Sequence, residues 1–116
     1  MSDFKYEETM EQPFVNLVLG TTNNNIVIEN YKKFRITGPT EEFTISGITG
    51  GTDGREILLY NSVAFKMTIN NDSANSSAAN RILTLSGGDF QTTTVGSVTL
   101  IYDGAASRWI FKGSIA

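Results

Sequence analysis

The strongest constraint on the fold of this chain is a series of short apolar segments over residues 42–111, each interrupted by glycine, asparagine, aspartate or serine. Within many segments apolar and polar residues alternate, as Phe43 and Ile45 do with Thr44 and Ser46. Alternation over four to eight residues, bounded by turn-forming clusters, is typical of half-buried β-strands. No helix of appreciable length is expected. The sequence therefore predicts an all-β protein.

The strands are expected to form a single domain over residues 15–116, because a chain of this length buries one core without disulfides. Strands at 15–40 come first, and a denser module at 42–112 follows. Short strands at such regular spacing predict a small antiparallel β-sandwich or a barrel-like, jelly-roll-type head. A hairpin is predicted at residues 57–69, and a second one closes the module at residues 97–112.

The first 14 residues differ from this pattern, since they are charged and nearly free of periodicity. We interpret them as an N-terminal arm that attaches to a partner through Phe4, Tyr6 and Met10. These three side chains would also lie on one side of a short helix. A frayed terminus without a partner is the alternative.

Two of the predicted strands are apolar on both faces, which suggests an oligomer. Ile57 and Leu59 alternate with Leu58 and Tyr60, and a similar pattern recurs around residues 98–102. A free sandwich usually leaves one face of each sheet polar, so such strands must be covered twice. The second face would be covered either by another copy of the chain or by the N-terminal strands folding back over it. The residues expected at an interface between copies are Leu58, Tyr60, Leu100 and Ile101.

Composition argues against catalysis, metal binding and cofactor binding. The chain contains neither histidine nor cysteine, so the commonest general base, the commonest metal ligand and all thiolates are missing. Asp53 and Glu56 would imitate a glycosidase pair, yet on a strand their spacing places them on opposite faces. The oxygens of residues 70–75 match no calcium-ligand spacing. We therefore expect a protein that is not an enzyme and carries no cofactor and no metal.

Charge and hydropathy limit the possible partners. The net charge of −3 offers no cationic field for nucleic acid. No apolar run approaches the length needed to span a membrane, and the first residues lack the apolar region of a signal peptide. The expectation is a protein made in the cytoplasm that binds no nucleic acid and does not insert into membranes.

Several motifs, taken in order, resemble a module of bacteriophage tail-fibre, head-fibre and virion-surface proteins. They are ITGGTDGREILLYN at residues 48–61, SAANRILT at 77–84, GSVTLIYD at 96–103 and SRW at 107–109. The match covers about residues 43–112. The resemblance implies a homotrimer that is attached to the virion by its N-terminal segment and displays a β-rich head outward. Its partners would be copies of itself and other virion proteins such as those of the capsid or tail.

The chain departs from long tail fibres because it lacks the glycine repeats and heptads that build a shaft. This favours a short head fibre, a capsid decoration or a tail-tip component on the virion surface. The alternative function is a carbohydrate-binding receptor module that adheres to a host-surface glycan. Tyr102 and Trp109 would then be ligand contacts. The competing interpretation of these two rings is a cross-strand pair that stabilises the terminal hairpin.

Overall fold

The computed structural model describes residues 12–116, and the predicted arm residues Phe4, Tyr6 and Met10 lie outside this range. Within it the chain forms ten strands and one turn of 3-10 helix at Ala78–Asn80. The strands are β1 (Val15–Val18), β2 (Thr22–Asn23), β3 (Lys33–Thr37), β4 (Phe43–Ile45), β5 (Glu56–Asn61), β6 (Met67–Ile69), β7 (Ile82–Leu83), β8 (Phe90–Gln91), β9 (Gly96–Asp103) and β10 (Arg108–Ile115). The expectation of an all-β protein is confirmed.

The strands form two sheets that share one core. The six-stranded sheet has the order β1-β3-β5-β9-β10-β7, and the four-stranded sheet has the order β2-β4-β6-β8. From β1 to β6 the chain alternates between the sheets, and each strand pairs in parallel with the strand two places earlier. The first half of the chain is therefore a stack of three coils, like a short β-solenoid.

In-register stacking explains why similar residues recur from coil to coil. Val15 lies beside Phe34, and Phe34 lies beside Leu59 in the six-stranded sheet. In the four-stranded sheet Ile45 pairs with Ile69. Because side chains alternate between the two faces of a strand, these residues point inward together and form apolar columns between the sheets.

The stack ends where the chain reverses direction. Strand β9 pairs antiparallel with β5, β10 pairs antiparallel with β9, and β8 pairs antiparallel with β6. The predicted hairpin at residues 97–112 is thus confirmed, with a register shift between Phe111 and Gly113. Its Trp109 lies opposite Tyr102, as the cross-strand interpretation expected, and both rings are buried in the core.

The predicted antiparallel jelly-roll-type arrangement is wrong, because the coils stack their strands in parallel. The hairpin predicted at residues 57–69 is wrong for the same reason, since β5 and β6 belong to different sheets. A corner separates them, and the buried Asn61 stabilises it. The Asn61 amide donates to the carbonyls of Phe65 at 2.9 Å and Thr94 at 2.8 Å, and its oxygen accepts from the amide of Val63.

A second corner of the coils is held by a buried polar network. The hydroxyls of Ser46 and Ser76 lie 2.6 Å apart, and the Ser76 oxygen accepts the backbone N–H of Asn25 at 2.9 Å. A Cβ on Gly47 would lie 2.4 Å from the Ser76 hydroxyl oxygen, so only glycine fits there. The network links all three coils.

Candidate interaction surface

The outer face of the six-stranded sheet, turned away from the four-stranded sheet, carries several partly buried apolar side chains among polar and charged ones. On β5 the inward residues Ile57 and Leu59 are fully buried, so Leu58 and Tyr60 point outward and are only partly covered. Pairing in register extends this face across the neighbouring strands. The outward apolar residues on β5, β9, β10 and β7 are Leu58, Tyr60, Ile101, Ile110 and Leu83.

One edge of the outer face is covered by the residue that leads into β1. The ring of Phe14 lies 5.9 Å from that of Tyr60, and the Arg35 guanidinium lies 5.0 Å from the centre of the Phe14 ring. Arg35 also donates to the side-chain oxygen of Asn16. Phe14, which leads into β1, therefore lies on this face and packs against the Arg35 guanidinium.

A groove of about 550 Å³ opens on the same face at the start of β3 and β5. Its floor includes Leu58 and Thr99, which are paired across the sheet. Its remaining walls are mostly charged or are glycine, and they comprise Lys32, Lys33, Gly54, Arg55, Glu56 and Ile57. The groove therefore combines apolar contact area with an excess of positive charge.

Arg55 lines this groove and connects two of its loops. Its guanidinium donates to the carbonyls of Gly50 at 2.8 Å and Tyr31 at 3.0 Å, and also to that of Glu29. These bonds tie the loop before β3 to the loop before β5. A second, smaller depression adjoins the groove and shares Lys32 and Arg55 as lining residues.

One ion pair links a charged residue of the groove to β10. Glu56 pairs with Lys112 at 3.0 Å. Within residues 12–116, no carboxylate forms an ion pair with Lys32, Arg35 or Arg55. The groove lining thus holds three cations and one carboxylate, although the chain as a whole is acidic.

The predicted interface residues divide into two groups. Leu58, Tyr60 and Ile101 lie on the outer face. Leu100 does not, because it points inward with Val98 and is fully buried in the core. The assignment of Leu100 to an interface is therefore wrong.

The predicted ligand contacts Tyr102 and Trp109 are also core residues. Their rings pack edge to face with centroids 5.1 Å apart, and Trp109 is 0 % exposed. The Trp109 indole donates to the carbonyl of Ile48, and the Tyr102 hydroxyl donates to that of Ala79. Rings fixed in this way offer no surface to a ligand, so the assignment is wrong.

The remaining Asp and Asn residues that could offer oxygens to a ligand form contacts that stabilise the fold. Asp72 pairs with Arg108 at 2.8 Å, and the side-chain oxygen of Asn71 accepts the backbone N–H of Thr84. Asp53 accepts the N–H of Gly104 and so connects two turns. Across the described residues there is no cluster of three or more metal-binding side chains.

Sequence reasoning missed Ile110, Leu83 and the basic groove. Ile110 lies between Trp109 and Phe111, and its outward direction follows from the inward direction of Trp109. Leu83 belongs to a two-residue strand that pairs with β10, a long-range contact with no local signal. The groove joins residues from separate coils, so only the parallel stacking reveals it.

Comparison with models of known protein families and with curated protein sequences found no match for this chain. No helix within residues 12–116 has the length and apolar character needed to cross a membrane. The geometry of the outer face and the motifs in the sequence are thus the basis for a functional interpretation.

Proposed function

We propose that this chain is a structural protein of a bacteriophage particle: a short head fibre, a capsid decoration or a tail-tip component. It attaches to the virion by its N-terminal segment and displays the coiled β-domain outward as a homotrimer. The observation that carries the proposal is the apolar outer face, with Leu58, Tyr60 and Ile101 on adjacent strands. The resemblance of the motifs at residues 48–109 to virion-surface modules supports it.

The outer face is suited to contacts between copies. A sheet face that meets only water is normally polar, whereas this face carries Leu58, Ile101 and Ile110 among its polar residues. Copies arranged around a closed symmetry axis would bury Leu58, Ile101 and Ile110 against one another. Burial of this kind also raises kinetic stability, which a protein outside a cell requires.

The edges of the solenoid give a second reason to expect neighbours. Strand β1 lies at the end of its sheet, and within the described residues no further strand pairs with its outer edge. Unpaired edges of this kind recruit other strands unless they are covered. A virion partner or a neighbouring copy would cover the edge in the assembled particle.

Light scattering on purified protein at micromolar concentration tests the proposal. The expected result is a particle three times the 12.7 kDa mass of the chain. Ile101→Glu places a charge on the outer face and is expected to yield folded monomers. Val95→Glu is the matched control, because Val95 is exposed in the loop between β8 and β9. A wild-type protein that stays monomeric would contradict the proposal.

The structure does not support the alternative function of a carbohydrate-binding receptor module. The aromatic rings assigned to that role, Tyr102 and Trp109, lie inside the core.

A further inference from the structure

We propose that the turn between β9 and β10 of each copy occupies the basic groove of the adjacent copy, so that the trimer is a ring of identical groove-and-turn contacts. The turn comprises residues 103–107, and the groove lies on β3, β5 and β9. This inference rests on the proposed function, because it states which surfaces of the outer face meet when copies assemble.

A closed ring of three requires two different surfaces on each chain. Under a two-fold axis the same surface of both copies meets itself, whereas under a three-fold axis each contact joins one surface to a different surface of the neighbour. The protein offers two such surfaces at one end of the outer face, where β3 and β5 begin and β9 ends. One is the groove, and the other is the exposed turn at residues 103–107.

The charges of the two surfaces are complementary. Lys32 and Arg55 line the groove, and among the described residues neither forms an ion pair. Asp103 begins the turn, and Asp53 contacts it through the N–H of Gly104. Within residues 12–116, no cation forms an ion pair with either carboxylate. Opposite charges on surfaces that meet favour association and fix which surfaces pair.

Two further charges close to these surfaces are already paired within the protomer. Glu56, the carboxylate of the groove, pairs with Lys112 at 3.0 Å. Arg108, which follows the turn, pairs with Asp72 at 2.8 Å. These pairs leave cations in the groove and carboxylates at the turn for contacts with a neighbour.

The turn is preformed and its side chains are small. All five residues are exposed, and they are Asp103, Gly104, Ala105, Ala106 and Ser107. Oδ1 of Asp103 accepts the N–H of Ala105 at 2.9 Å, and Oδ1 of Asp53 accepts that of Gly104 at 2.8 Å. A turn held in this way loses little conformational freedom when it binds. The alanine methyl groups would contact the groove floor at Leu58 and Thr99.

The short separation of the two surfaces places the three-fold axis next to Ile101. Residues 99, 101 and 103 alternate along β9 with the buried Leu100 and Tyr102, so they share the outer face. The groove floor at Thr99 and the start of the turn are therefore about 13 Å apart, at roughly 3.3 Å per residue. Points that meet across a three-fold axis are equally far from it, so both lie close to the axis. The ring thus also buries Ile101, which lies between them.

Charge reversal tests the contact. Lys32→Glu and Asp103→Lys are each expected to lower the association constant of the trimer at least about tenfold, because like charges then meet at all three interfaces. Sedimentation equilibrium over a range of concentrations measures the constant. The double variant Lys32→Glu, Asp103→Lys restores opposite charges at every interface and is expected to recover assembly. A double variant that assembles more weakly than either single variant would overturn the proposal.

Matched variants separate this contact from net charge and from folding. Lys66→Glu, just before β6, and Glu42→Lys, between β3 and β4, make the same changes of charge away from the groove and should leave assembly unchanged. Asp103→Asn keeps an oxygen that can accept the N–H of Ala105, and it is expected to weaken assembly less than Asp103→Lys. Circular dichroism shows that each variant is folded. Assembly that Lys66→Glu weakens as much as Lys32→Glu does would contradict the proposal.

Single cysteines map which surfaces meet. The chain has no cysteine, so Thr99→Cys marks the groove floor and Ala105→Cys marks the turn. Mild oxidation of the two variants refolded together is expected to give mainly the mixed disulfide, identified by its mass, because the two positions lie against each other across the interface. Thr44→Cys, in the four-stranded sheet, replaces Thr99→Cys as the control and should give none. Disulfides that form equally well in either variant alone would indicate a two-fold contact and overturn the proposal.

The same measurements distinguish this inference from the proposed function. A wild-type protein that stays monomeric would refute the trimer and the groove contact together. A wild-type trimer that Ile101→Glu dissociates, but that Lys32→Glu leaves intact and that yields no mixed disulfide, would refute the groove contact alone. The proposed trimer would then stand on the apolar side chains of the outer face.

Discussion

The indole N–H of Trp109 donates a hydrogen bond of 2.8 Å to the main-chain carbonyl of Ile48. Trp109 belongs to the terminal hairpin, whereas Ile48 lies at a corner of the second coil, where it pairs with Ile26. The bond therefore joins the antiparallel end of the protein to its parallel stack. Because the indole is fully buried, neither group would find water if the bond were lost.

Trp109→Phe should destabilise the protein by about 2–4 kcal/mol. The substitution leaves the Ile48 carbonyl without its donor and creates a void beside Tyr102. Urea unfolding measures the change. It is followed by circular dichroism because Trp109 is the only tryptophan, so the variant has no tryptophan fluorescence to follow. Tyr31→Phe, at an exposed ring, is the control and should alter the free energy of unfolding by less than about 0.5 kcal/mol. Equal effects of the two substitutions would contradict the structural role given to Trp109.

Most strand positions could be predicted from the sequence, but most of the pairing between strands could not. Alternation in residues 43–45 or 97–102 is a local signal, and the strands occur there. Whether two strands run parallel depends on where the chain goes after each one. Residues 57–69 look like a hairpin locally, yet buried Asn61 turns the chain into the other sheet. The assignment of β5 and β6 to different sheets depends on long-range contacts, so no local sequence pattern indicates it.

The outer face was only half predictable for a similar reason. Adjacent residues of a strand point to opposite sides, so Leu100 and Ile101 cannot both face a partner. The sequence groups Leu100 with Val98 and Tyr102, and this larger apolar set occupies the core. Ile101 is left for the outside. The basic groove had no comparable signal, because Lys32 and Arg55 meet only through stacked coils.

Asn61→Asp should be among the most damaging single-atom changes in the chain. The Asn61 amide donates to two carbonyls, and a carboxylate would instead repel both while lying fully buried. We expect a loss of about 2–4 kcal/mol in the free energy of unfolding at neutral pH. Thermal and urea unfolding measure it. Asn30→Asp, at an exposed position, is the matched control and should be nearly neutral.

Ser76→Ala tests the polar network between the coils. The change removes the acceptor of the part-buried Asn25 N–H and one of the partners of the buried Ser46 hydroxyl. A loss of about 1–3 kcal/mol is expected because the Asn25 N–H is left without an acceptor, while the Ser46 hydroxyl keeps its bond to the side-chain oxygen of Asn24. Ser73→Ala removes a partly exposed hydroxyl that accepts the N–H of Asn75, and should cost far less. Comparable losses for the two serines would show that the network does not stabilise the corner.

Leu85→Asn should stabilise the protein by about 0.5–1 kcal/mol, because Leu85 adopts a left-handed backbone that disfavours bulky side chains. Its φ is +67°, and its side chain is 67 % exposed in the loop between β7 and β8, so little burial is lost. Val95→Asn is the control, since Val95 is also an exposed apolar loop residue but is not at positive φ. Chemical denaturation of both variants measures the difference. If Val95→Asn raised the free energy of unfolding as much as Leu85→Asn, the gain would come from replacing an exposed apolar side chain and not from relief of backbone strain at Leu85.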